Sequence, residues 1–119
     1  MTIKEIKETL DAEVIISCDA LQMDIKMGCG CDLMSDVLAF IKPNSILLTG
    51  LATKQAIYTA EMADVRAICF VRDKKPDAEV IKLAESKSIP LLLTTLPMFE
   101  SCGRLYKNGL IGCSEYKEE

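Results

Sequence analysis

Three times between Ser45 and Gly109 the chain repeats one pattern. A short, nearly all-apolar run is followed by a turn with polar or glycine residues, then by about three turns of helical periodicity. The runs are "SILLTG", "RAICFV" and "PLLLTT"; the helical stretches are "TKQAIYTAEMAD", "DAEVIKLAESKS" and "PMFESCGRLYKNG". Strands that are apolar along their whole length need cover on both faces, and strand–helix alternation implies parallel pairing with right-handed crossovers. The expected fold is therefore α/β, a mainly parallel sheet of about four to five strands flanked by helices. With 119 residues a single domain over 1–119 is expected, its core over about 14–110 and a charged, frayed tail over 114–119.

Local punctuation fits this pattern. Thr53 and Asp77 stand at cap positions, Pro97 in a first turn and Gly109 at a C-terminal stop. Ala56, Ala60 and Ala63 would let their helix lie close to the sheet. Upstream, "TIKEIKETL" places Thr2 and Glu5 at capping-box spacing, with Ile3, Ile6 and Leu10 on one face. "EVIISC" reads as a buried strand. "LQMDIKMG" alternates Leu21, Met23, Ile25 and Met27 with Gln22, Asp24 and Lys26, the period of a half-buried strand that could form a hairpin-like edge. From Asp32 the period turns helical through Leu33, Met34, Val37, Leu38 and Ile41, stopping before Pro43. The glycines of "MGCGCD" then read as the turn between strand and helix, and Asp32 as the helix cap.

Composition narrows the function. The net charge of −4, and the lack of any Lys/Arg stripe interleaved with aromatics, argue against nucleic acid as a partner. No apolar run is long enough to span a membrane, and the charged opening "MTIKEIKETLDAE" is unlike a secretory signal. The six cysteines are accordingly expected as free thiols in a reducing cytoplasm. Histidine is absent, which removes the commonest general base and metal ligand. "GLATKQ" lacks the second glycine and the Lys-Ser/Thr ending of a phosphate loop, and no G-x-G-x-x-G lies between a strand and a helix. An enzyme is not expected.

In an open parallel sheet, ligands bind beyond the carboxyl ends of the strands. Three turns would meet there, "LTGLATK", "RDKKP" and "TTLP". Together they offer Thr49, Gly50, Thr53, Lys54, Arg72, Lys74, Thr94 and Thr95, hydroxyls and cations suited to a phosphate or carboxylate. The alternative is that the threonines cap helices and the basic side chains are solvated. Asp32, Ser35 and Asp36 share a helical spacing that fits either a carboxylate pair or a cap followed by a solvated residue. Cys29 and Cys31 form a C-x-C, which could serve a metal or iron–sulfur centre of a redox-linked accessory protein, or could simply sit in the turn. A small phosphotransferase centred on Lys54 and Asp73 has no recognisable motif behind it.

The stretch from Ile46 to Leu105 resembles the DRTGG domain family and the related N-terminal domain of bacterial HPr kinase/phosphorylase. The residues that carry the resemblance are Gly50 after a strand, Pro76, Glu79-Val80, Leu83-Ala84, Ile89-Pro90-Leu91-Leu92 and Thr94 to Phe99. "DLMSDVLAFIKP" resembles the helix before that core, so the likeness extends over about Val14 to Leu110. "GLATKQ" and "VRDKKPD" stand where the family's Gly- and Arg-bearing turns are expected. The resemblance implies a stand-alone regulatory or assembly domain, homodimeric, with a partner enzyme or a small phosphorylated or nucleotide ligand. It implies no kinase activity, which in the relatives belongs to a separate domain.

Overall fold

Thr2 opens the first helix with a complete capping box. Its hydroxyl accepts from the Glu5 amide at 3.1 Å, and the Glu5 carboxylate accepts from the Thr2 amide at 2.9 Å. The helix, α1 (Ile3–Thr9), buries Ile3 and Ile6. The computed structural model describes residues 1–117; Glu118 and Glu119, the end of the expected charged tail, lie outside the described residues. After α1 come β1 (Glu13–Ile16), β2 (Met27–Gly30), α2 (Met34–Phe40), β3 (Ser45–Thr49), α3 (Lys54–Met62) and β4 (Ala67–Phe70). The chain closes with α4 (Ala78–Ser86), β5 (Leu91–Leu93), α5 (Met98–Lys107) and β6 (Ile111–Gly112).

Among the described residues six strands form one sheet in the order β1-β5-β4-β3-β2-β6. All neighbours are parallel except β1, which runs antiparallel to β5 with a register shift between Val14 and Ile16. The sheet thus exceeds the expected four to five strands, because β6 is a two-residue edge too short to leave a periodic signal. As the apolar runs imply, every residue of β3, β4 and β5 is buried. Helices α2, α3 and α4 cover one face with Val37, Ala56, Ile57, Ala60, Val80 and Ala84. α1 and α5 cover the other, over Ile46, Leu48, Ala67, Cys69 and Leu92. From β2 the chain steps strand by strand to β5, then α5 carries it back across the opposite face to β6 beside β2.

Two expectations in the first third of the chain are corrected. The alternating segment is not a strand over Leu21–Lys26. Its burial does alternate, with Ile25 and Met27 buried and Gln22, Asp24 and Lys26 exposed, but a lone bridge joins Asp24 to Thr2. The carbonyls of Met23 and Leu21 instead accept from the Ile3 and Lys4 amides, the orphan donors at the start of α1. No hairpin forms; the antiparallel edge is β1. The second correction is "MGCG", which is strand β2 itself, paired to β3 and β6. A glycine-rich run reads locally as a turn, but here the missing side chains let α5 close on the sheet. A Cβ on Gly30 would stand 2.6 Å from the Cys102 Sγ.

Candidate ligand site at the carboxyl edge of the sheet

Parallel strands β2 to β5 end at one edge, and the turns after them gather the residues expected to bind a ligand. The turn after β4 is tight: Arg72 and Asp73 both adopt left-handed φ, +54° and +56°, and the Lys74 amide donates to the Val71 carbonyl at 3.1 Å. β4 and β5 send their following helices to opposite faces, which marks the place where open α/β sheets usually leave a ligand crevice. Here that crevice is sewn shut. The Arg72 amide donates to the Leu96 carbonyl and the Asp73 amide to the Thr94 carbonyl, each at 2.9 Å. The buried Thr94 hydroxyl donates to the Leu10 carbonyl at 2.8 Å and accepts from the Leu96 amide at 3.2 Å. Thr94 thereby stitches α1 to the end of β5; Thr95 beside it is exposed.

The open part of the edge lies one strand over. Asp32, in the loop after β2, is not a helix cap; the N-cap of α2 is Leu33, which makes no side-chain cap bond. The Asp32 Oδ1 accepts from the Gly50 amide at 2.6 Å and from the Thr49 hydroxyl at 3.0 Å. Its Oδ2 lies 4.0 Å from the Arg72 guanidinium, both side chains being about half exposed. A Cβ on Gly50 would sit 3.0 Å from the Arg72 Nη2, so glycine there lets the guanidinium rest against the strand end. Thr49, Gly50 and Arg72 are therefore brought together around the Asp32 carboxylate. The residue that sequence reasoning left out of this cluster is Asp32. With β2 read as a turn, its carboxyl end was not counted among the strand ends.

The other expected residues stand apart from that cluster. Thr53 is the N-cap of α3 without a side-chain cap bond. Lys54 pairs with Glu79 at 2.9 Å, which joins the first turns of α3 and α4 and raises the lysine pKa, chiefly through the hydrogen bond to that carboxylate. Lys74 is exposed, and its neighbours Asp73 and Lys75 pair at 3.7 Å.

Cys29 and Cys31 both lie on the β2 side opposite α5, in register with or beyond Leu47. All six cysteines are free thiols. Among the described residues no three His, Cys, Asp or Glu side chains are placed to hold a metal ion. Burial, with smaller contributions from Cys113, Cys31 and Cys102, pushes the Cys29 thiol up to about 11. Only about one Cys29 in a thousand is thus thiolate at pH 8. Iodoacetamide labelling of Cys29, followed by peptide mass spectrometry, should accelerate about tenfold from pH 8 to 9 and about tenfold again to pH 10. A rate already on its plateau at pH 8 would contradict the buried environment.

Among the described residues no helix is long and apolar enough to cross a membrane. Comparison with known proteins gives a consistent picture of the fold. A family model described as "DRTGG domain" matches residues 5–107. No curated protein matches the chain. A crystal structure of the CBS and DRTGG domains of the regulatory region of Clostridium perfringens pyrophosphatase, complexed with its activator diadenosine tetraphosphate, superposes with a TM-score of 0.76 at 18% identity. That superposition covers 99% of this chain and 51% of the other, so this chain spans about half the length of its structural neighbour.

Proposed function

Because the chain belongs to the DRTGG domain family, we propose that it is a non-catalytic regulatory and assembly domain that senses a small anionic metabolite, with a nucleotide polyphosphate as the leading class. The observation that carries this reading is the cluster of Asp32, Thr49, Gly50 and Arg72 at the carboxyl edge. An amide, a hydroxyl and a guanidinium converge there on a carboxylate. A phosphate oxygen has the same needs and a greater charge, and it would compete with Asp32 for Arg72. Lys54, Thr53 and Lys74, which stand apart from the cluster at the start of α3 and in the turn after β4, would meet the more distal charge of a polyphosphate, with Thr94 and Thr95 further along the same edge after β5. The lack of histidine and of a phosphate loop supports a binding rather than a catalytic role. That the structural neighbour is a regulatory region bound to a dinucleoside polyphosphate makes this ligand class the first to test.

The domain acts as a homodimer in the cytoplasm and transmits ligand occupancy to a partner enzyme. Support for self-association comes from Leu33, Leu38, Phe40 and Met62, apolar side chains left exposed on and beside α2 and α3, two helices that pack against each other. Six unpaired thiols suit a reducing compartment. Titration calorimetry with diadenosine tetraphosphate, ATP, ADP and pyrophosphate should give saturable binding that weakens at least tenfold in Arg72→Ala. Equal affinity in wild type and variant, or no binding across the panel, removes the sensing role. Sedimentation analysis tests the dimer separately.

A further inference from the structure

The ladder between β2 and β6 pairs Met27 with Ile111 and Gly28 with Gly112. The next residue on each chain is a cysteine, Cys29 on one side and Cys113 on the other. Facing residues of paired strands leave the sheet on the same side. Both cysteines accordingly line one cavity of about 490 Å³, together with Ala39, Phe40 and Lys42. The Cys113 thiol donates to the Gly28 carbonyl at 3.8 Å, the carbonyl of the peptide bond that leads into Cys29. Its sulfur thus reaches across the gap between the strands. After burial, the nearness of Cys113 is the largest influence raising the Cys29 thiol.

Adjacent strands lie about 4.8 Å apart, inside the span of about 4.4–6.8 Å that a disulfide needs between Cα atoms. The Cβ atoms of facing residues are about as far apart as the strands, whereas a disulfide draws them to about 3.8 Å. Closing the bond asks the rim to move by about 1 Å. β6 can give that much, being two residues long with a neighbour on one side only. Among the described residues no other pair of cysteines is as well placed. Cys31 is about 6.6 Å along the strand from Cys29, and its thiol donates to the Leu33 carbonyl. Cys102 stands over Gly30 on the opposite face of the sheet. Cys69 is fully buried in β4, two strands from β2, and Cys18 follows β1 at the far rim.

We propose that Cys29 and Cys113 close into a reversible disulfide under sustained oxidation, clasping β6 and the chain beyond it to β2. The oxidant is a small disulfide of the surrounding thiol pool. Cys29 reacts first, since it is partly exposed whereas Cys113 is buried. Its thiolate attacks one sulfur of the small disulfide; a mixed disulfide forms and one thiolate leaves. Cys113 then gives up its proton and attacks the Cys29 sulfur, displacing the second thiolate. Both departing thiolates take up a proton, so two protein thiols are oxidised and one disulfide is reduced to two thiols. Shielding of Cys29 makes the exchange slow, so the clasp answers a lasting change in the thiol–disulfide balance and ignores a brief one. A bond that must draw two strands together is strained, and surrounding thiols reopen it readily. The clasp is separate from the carboxyl-edge cluster and does not depend on it.

The test incubates the reduced full chain, in its native state, with excess bis(2-hydroxyethyl) disulfide. Remaining thiols are trapped with N-ethylmaleimide in denaturant, and linked peptides are read by mass spectrometry without reduction. A Cys29–Cys113 link within one chain, at least tenfold more abundant than any other pair and reversed by dithiothreitol, is expected. Cys113→Ala should stop at the mixed disulfide on Cys29, and Cys113→Ser serves as a second variant if alanine weakens the fold. Hydrogen exchange of the β6 amides should slow at least tenfold in the oxidised chain and stay unchanged in the treated Cys113 variant. A different pair in excess, a link between two chains, or a mixed disulfide that accumulates on Cys29 of the wild type would overturn the proposal. So would a chain that stays reduced, or β6 exchange that oxidation leaves unaltered.

Discussion

Replacing Phe70 with alanine should cost the fold about 3–5 kcal/mol, the usual range for deleting a fully buried aromatic ring. Phe70 is wholly buried and is the largest of the side chains shut off from water. It lies in the cluster that joins β4 to α3 and α4, with Ile57, Val80 and Ala84. Ile57, Val80 and Ala84 are themselves buried in that packed cluster, so the surroundings relax only partly into the vacated space. Domains of this size hold about 5–15 kcal/mol in all, so the variant should sit near the threshold of unfolding at 37 °C. Urea denaturation followed by far-ultraviolet circular dichroism should show the midpoint falling by about 1–3 M with little change in slope. A loss below about 1.5 kcal/mol would mean that the α3/α4 face is far more plastic than its packing implies.

Thr94→Val should be the second most damaging change, although it preserves shape. The hydroxyl is buried, donates to the Leu10 carbonyl and accepts from the Leu96 amide. Valine removes both bonds, leaving a buried acceptor unmatched at about 1–3 kcal/mol and losing a part-buried bond worth about 1 kcal/mol. A total loss of about 2–4 kcal/mol follows, and Thr94→Ser should recover most of it. The same variant separates structure from binding. If Thr94 serves the fold, the folded fraction of Thr94→Val keeps the anion affinity that Arg72→Ala loses. A stable Thr94→Val with lost affinity would put Thr94 in the ligand site and refute the structural assignment.

What the chain reveals without its structure depends on whether a signal is local. β3, β4 and β5 are legible because burial on both faces leaves no polar position. The start of α4 is legible because Asp77 caps it within four residues, accepting from Val80 at 3.0 Å. Gly109, with φ of +105°, ends α5 for equally local reasons. The alternation from Leu21 to Met27 reports which side chains are wet but not whether a neighbouring strand is present, and most of the segment serves the first turn of α1 instead. β2 is hidden in the sequence because its glycines answer to distant residues, Gly30 to Cys102 of α5 and Gly28 to Leu110 just after it. The same distance explains the candidate site. Thr49, Gly50 and Arg72 could be assembled from strand ends, whereas Asp32 joins them only once β2 is known to lie beside β3. The closing of the crevice at Thr94 depends on α1 and on backbone pairing between two turns, neither of which has a sequence signature.

The two rims of the sheet also bear on how copies of the chain can meet. One rim ends in β6, two residues long, and the other in β1, where the register slips between Val14 and Ile16. Growth of a sheet by adding strands needs a long, regular row of free amides and carbonyls to serve as a template. Neither rim provides one. Ribbons that continue from molecule to molecule are thereby disfavoured, and the proposed self-association would run through side chains on the helical faces. Such contacts can be made and broken without unravelling the backbone ladder, which would suit the regulatory assembly proposed above.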